Sequence, residues 1–340
     1  MTLAFVLLVA AAAVIYLACE FFVNGVEWVG HRFGVARTAV GTVLAAFGTA
    51  LPESVVTLVA VVFGRTPGQR DIGVGAALGG PLALSTLAYA VVGLVFLVDR
   101  RHRGGGIVRE FSTRALAHDQ GWFLVVFVSK VALGLVAFAW KPWLGTLFVL
   151  AYALYVWREL RAEDPAGGCE GDDAPDDADF ERLKLRPHAA NPSTGWAVLQ
   201  TTGALVVIFL ASQLFVRQLG VVGPGLGMSP QLVALLLSPI ATELPEILNA
   251  VIWVRQGKTA LALGNISGAM MIQATIPSAL GIWFTPWLLD RPLLLAAGVT
   301  MAAIAVTLVL LRRHALTAPR LVALAGLYGV FAAGVAWMWR

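Results

Sequence analysis

The chain has 340 residues, 59% of them hydrophobic and only 13% charged. Soluble domains carry roughly 25% charged residues, so this composition excludes a water-soluble globular domain and points to a lipid bilayer as the partner. The net charge of +4 sits in short polar links between apolar runs, where it reports membrane orientation rather than nucleic-acid binding.

A membrane-crossing helix needs about 20 apolar residues, a barrel strand only about ten alternating ones. Ten runs meet the helical requirement: 2–23, 38–63, 72–98, 121–140, 143–160, 195–219, 229–254, 259–285, 292–311 and 319–339. The expected fold is all-α, a polytopic membrane protein of about ten transmembrane helices. In the first run Tyr16-Leu17-Ala18-Cys19 faintly resembles a lipoprotein cleavage box, but no Lys or Arg precedes it, which favours an uncleaved span. Cys19 and Cys169 alone imply no disulfide framework. Glu20, Asn24 and Glu27 share one helix face, as an ion vestibule or an interfacial polar stripe. Lys130 lies deep in the fourth run, placed to pair with a carboxylate or to snorkel outward. Trp28, Trp122, Trp140, Trp143, Trp157, Trp283 and Trp287 fall near run ends, as in an aromatic belt.

Ten crossings divide the basic residues unequally. Arg65, Arg70, Lys141, Arg217, Arg291 and Arg340 fall on one side, and all the other Lys and Arg except Lys130 fall on the opposite one. The basic side is the cytoplasmic one, so both termini are expected outside, in a plasma (inner) membrane. Residues 161–194 then form a cytoplasmic linker, rich in Asp and Glu among Gly, Pro and Ala. Such a stretch buries too little apolar surface to fold alone and lacks the Gly and terminal Glu of an EF-hand; it is expected to be a disordered, solvated link.

The second and seventh runs share Thr-x-Leu-Pro-Glu, as Thr49-Ala50-Leu51-Pro52-Glu53 and Thr242-Glu243-Leu244-Pro245-Glu246. Each is followed by a Gly-rich run, Gly73-Val74-Gly75-Ala76-Ala77-Leu78-Gly79 and Gly264-Asn265-Ile266-Ser267-Gly268. The chain therefore reads as a first five-helix repeat over 1–160, with its core at 38–98, and a second over 195–340, with its core at 229–285. Five is odd, so the second half enters from the opposite side; such inverted repeats are built into secondary transporters, which bind cargo at the midplane. Each Pro frees a backbone carbonyl one turn earlier. Beside it stand a carboxylate, Glu53 or Glu246, and a hydroxyl, Thr49 or Thr242, on the same helix face if the helix is continuous. These are hard oxygen donors, of which Ca2+ takes six to eight.

With these motifs the chain resembles the cation/Ca2+ exchanger superfamily, which includes the sodium/calcium exchangers. The resemblance covers 38–98 and 229–285 and the ten-span plan around them. It implies an antiporter without a cofactor, whose partners are small inorganic cations: Ca2+ held by Glu53 and Glu246, with oxygens from Thr49 and Thr242, exchanged for H+ or Na+. The chain departs from the sodium/calcium pattern Gly-Thr-Ser-Leu-Pro-Glu at Ala50 and Glu243, and a later Gly-Ser-Asn-x-x-Asn segment is reduced to Gly79-Gly80-Pro81-Leu82-Ala83-Leu84 and Gly268-Ala269-Met270-Met271-Ile272-Gln273. Gln273 and Asn265 remain as polar candidates. Glu243 adds a third carboxylate, either at the ion or exposed at a cavity mouth; three ionised acids around one Ca2+ leave a negative charge, so a proton or second cation is expected with them. Rival readings are a monovalent cation/H+ antiporter, another divalent-metal transporter, a channel and an intramembrane enzyme. An enzyme is disfavoured because all five His residues lie in or beside loops and no His-Glu-x-x-His occurs.

Overall fold

The computed structural model describes residues 1–32, 45–98, 113–161, 181–189, 191–257 and 259–338. Among these residues there is no strand. In chain order the helices are α1 (Thr2–Arg32), α2 (Ala45–Val62), α3 (Pro67–Ala83), a π-turn (Leu84–Ala88), α4 (Tyr89–Val98), α5 (Thr113–Gly134), α6 (Lys141–Arg161), α7 (Thr194–Gly225), α8 (Pro230–Thr242), α9 (Leu244–Arg255), α10 (Thr259–Phe284), α11 (Arg291–Arg312) and α12 (Ala318–Met338). Among the described residues six spans are long and apolar enough to cross a bilayer: α1, the α3–α4 rod, α7, α10, α11 and α12. The α8–α9 pair, bent by 42°, would be a seventh. The sequence expectation of ten is larger because α5 and α6 have the length but also carry Gln120, Lys130, Trp143, Tyr152 and Trp157, while the first part of the 38–63 run lies outside the described residues.

The distribution of polarity is inverted relative to a soluble protein. Leu3, Val125, Leu150, Ile240 and Val330 are exposed, whereas Glu53, Gln120, Lys130, Glu243, Glu246 and Gln273 are fully buried. Lipid tails solvate the first set, and only the protein interior can solvate the second.

Helix pairing runs across the chain. α1 packs along α7, α2 against α10, α3 against α8, α4 against α12, and α5 against α11. α1 and α7 are antiparallel, since Gly25 opposes Thr201 at one end and Gly225 opposes Met1 at the other. α3 and α8 are parallel and close: a Cβ at Gly75 would collide with the Gln231 carbonyl, and one at Gly79 would come 2.7 Å from the Leu235 carbonyl. Only glycine lets two membrane helices approach so nearly.

The described part of the 161–194 linker lies across α1 and α7. The Glu181 carbonyl accepts from Asn24 Nδ2 (3.2 Å) and Trp28 Nε1 (3.0 Å), and Lys184 Nζ meets Glu20 at 3.0 Å. Asn24 Oδ1 accepts from the Lys184 N–H and from Gln200 Nε2, at 3.0 and 2.8 Å. Leu183 is buried against Trp28 and Ala197. Glu20 and Asn24 therefore anchor this strap. Trp140, Trp143 and Trp157 are exposed, as belt residues should be, but Trp28 and Trp287 are buried structural residues. Trp287, in left-handed conformation at φ 48°, donates its indole N–H to the Lys130 carbonyl at 2.9 Å.

A candidate cation site between the two Pro-Glu motifs

Glu53 is carried by α2, which continues as a helix through Pro52. On this helix Ala50 belongs to one apolar cluster and Val55 and Val56 to another, so Glu53 lies where the two meet. Its side chain is fully buried and neither carboxylate oxygen makes a hydrogen bond of normal geometry. The hydroxyls of Thr242 and Ser238 face it, and the charges of Glu243 and Lys130 act on it. An acid so placed in a membrane protein is costly, by about 2.5–3.5 kcal/mol at the bilayer centre, unless something positive shares the site.

The second motif is built differently. Here the helix breaks: the Glu243 N–H closes α8 on the Pro239 carbonyl (2.9 Å), and the Glu243 carbonyl opens α9 by accepting from Ile247 (3.1 Å). Thr242 and Glu246 thus belong to two helices, which meet at a bend of 42°. Pro245 stands in the first turn of α9, where its missing N–H costs nothing. Glu246, also in that first turn and fully buried, sits in the favourable field of a helix N-terminus.

Glu243, at the break itself, is buried rather than exposed at a cavity mouth. Gln273 Nε2 of α10 donates to its Oε2 at 2.7 Å, and the Thr242 hydroxyl lies 2.8 Å from its Oε1. From α3, Gly80 leaves room for these groups: a Cβ there would stand 2.9 Å from Glu243 Oε1 and 2.8 Å from Gln273 Oε1. Lys130 reaches in from α5, fully buried, with Nζ donating to the Ala77 carbonyl at 3.0 Å and lying 4.6 Å from the Phe127 ring centre.

The structure thus brings Glu53, Thr242, Glu243 and Gln273 together and adds Ser238 and Lys130. Glu246 is buried just beyond the break, Asn265 is buried on α10 with an unpartnered Nδ2, and the Thr49 side chain lies outside the described residues. Among the described residues no three acidic, His or Cys side chains form a closed metal cluster; the acids are interleaved with hydroxyls and an amide. The unpartnered oxygens of Glu53, Ser238 and Gln273 suit a hard cation, which is bound by mixed oxygen sets. Ser238 escaped sequence reasoning, although its position four residues before Thr242 put it on the same face of α8.

Buried acids at the meeting of helices from both halves, inside an apolar-surfaced helical protein, define a membrane cation transporter. The chain matches the model of the family described as sodium/calcium exchanger protein over residues 3–160 and 196–337, and it belongs to that family. It is an antiporter-family protein, not an enzyme. It is 26% identical to inner membrane protein YrbG of Escherichia coli (strain K12), over 85% of this chain and 82% of that one. Two solved structures share its fold. One is the H+/Ca2+ exchanger CAX, with a TM-score of 0.73, 15% identity, and coverage of 98% of this chain and 82% of that one. The other is the sodium-calcium exchanger NCX_Mj, with a TM-score of 0.60, 18% identity and 98% coverage of both.

Proposed function

We propose that this protein exchanges Ca2+ for H+ or Na+ by alternating access, with Glu53 and Glu246 as the principal ligands and Thr49, Thr242 and Glu243 supplying further oxygens. The observation that carries the reading is the Glu53 carboxylate, buried without a normal hydrogen bond opposite the hydroxyls of Thr242 and Ser238 and the acid Glu243. Each half delivers part of this set, α2 from the first and the α8–α9 break from the second. The antiparallel α1–α7 pair and the reciprocal packing of α2 on α10 and α3 on α8 support two inverted five-helix repeats and ten crossings.

Glu243 favours H+ as the counter-ion: an added acid in the cation site is a group that a proton can occupy when Ca2+ leaves. The names of the two fold neighbours, one an H+/Ca2+ and one a sodium-calcium exchanger, support Ca2+ as cargo and leave both counter-ions in play. Reconstituted in liposomes, the protein should drive Ca2+ flux under an imposed pH gradient. Glu53→Gln and Glu246→Gln should each reduce that flux to the level of empty liposomes while eluting as folded protein. Flux that ignores pH but follows a Na+ gradient would reverse the choice of counter-ion, and wild-type flux in both Gln variants would remove the site.

A further inference from the structure

Lys130 places an amine in a buried position that an apolar side chain could fill. Its side chain is completely buried. An ammonium has three N–H donors, yet its hydrogen bond is to one backbone carbonyl, Ala77 O at 3.0 Å, with the Phe127 ring 4.6 Å away as a second, weaker partner. One neutral hydrogen bond and one cation–π contact do not offset the removal of an ammonium from water. The charge that acts on it is that of Glu53, on which Lys130 acts in turn. Ala77 is also three residues before Gly80, the position that faces Glu243 and Gln273, so α3 holds the ammonium about one helical turn from that cluster.

We propose that Lys130 is a resident counter-ion of the cation site, a tethered positive charge that fixes how many charges the site must draw from solution. This rests on the proposed site. There Glu53, Glu243 and Glu246 carry three negative charges when ionised, and Lys130 leaves two, the charge of one divalent cation. Two monovalent cations match it equally, so exchange of one Ca2+ for two of them moves no net charge. The second cation demanded by a third carboxylate is therefore part of the chain.

The discriminating variants are Lys130→Gln, which keeps a donor for the Ala77 carbonyl but loses the charge, and Lys130→Met, which loses both. Equilibrium binding of radioactive Ca2+ to detergent-purified protein at low Na+ should tighten by about tenfold in both, because a buried repelling charge is gone. If Lys130→Gln binds like the wild type while Lys130→Met does not, Lys130 only ties α5 to α3 and the proposal fails. A measurement on the wild type does not depend on either variant folding: Ca2+ flux in liposomes clamped with K+ and valinomycin should be the same at zero and inside-negative potential. A change beyond about twofold would overturn the charge balance. Loss of the cation site itself would show differently, as absent Ca2+ binding in the wild type or as binding undisturbed by Glu53→Gln.

Discussion

Gly80 shows how closely the interior is fitted around the acids. Every larger residue would bring a Cβ to 2.9 Å from Glu243 Oε1 and 2.8 Å from Gln273 Oε1. Both obstacles are the far ends of side chains, which can swing aside, so Gly80→Ala should fold. The carboxylate would then be displaced from its 2.7 Å bond with Gln273. Expected is a melting temperature close to that of the wild type, with Ca2+ affinity lowered about tenfold, or about 1.4 kcal/mol. A calorimetric scan beside a binding isotherm checks both halves of the statement, and an unchanged isotherm would mean that Glu243 does not touch the ion. Glu53 and Glu246 were legible from sequence because an acid within a long apolar run has few innocent explanations. Ser238 was not, since a serine in a membrane helix commonly bonds its own backbone. Lys130 was legible as an anomaly, but the acid that acts on it was not: Glu53 lies 77 positions away in the chain, on α2, and the packing of α2 and α5 against the same helix, α10, is what sets them in one interior.

At the scale of elements, α3 and α8 form the contact on which the site depends. α3 carries Ala77 and Gly80, while α8 carries Ser238 and Thr242. At Gly75 the obstacle to a Cβ is the Gln231 carbonyl, a backbone group fixed in the first turn of α8. Gly75→Ala should therefore push the two helices apart at a cost of about 1–3 kcal/mol, visible as a lower melting temperature in detergent together with loss of flux. Stability equal to the wild type would show that the helices have slack there. Helix windows could be read from apolar run length, because the bilayer imposes that length locally. The break at Glu243 could not: Pro52 and Pro245 occupy the same place in the same motif, yet α2 runs through its proline and the second copy splits into α8 and α9. Pro239, which stands where the first copy has Ala46, and Glu243, which stands where it has Ala50, are among the local differences between the copies. The strap was hidden for another reason, since Asn24, Trp28 and Gln200 hold it through backbone groups that any sequence would present.

For the molecule as a whole, the fold and the charge distribution make one joint demand on topology. The strap ties the C-terminal half of α1 to the first turns of α7, through Asn24 and Gln200, so those two ends belong on one side of the membrane. The opposite ends meet as well, with Met1 against Gly225. Two antiparallel first helices are what two inverted halves require. We propose which side is which from composition: in the ten-crossing arrangement the loops on the strap side hold most of the Lys and Arg, including Arg32, Arg182, Lys184 and Arg186, and basic loops favour the cytoplasm. Cys169 lies within the linker, and the other thiol, Cys19, is buried within α1. In a Cys19→Ser background a membrane-impermeant maleimide should label Cys169 in inside-out vesicles and leave it unlabelled on intact cells. Labelling of intact cells would place the linker outside and invert the whole arrangement, and with it the direction in which Glu53 and Glu246 first meet their cation.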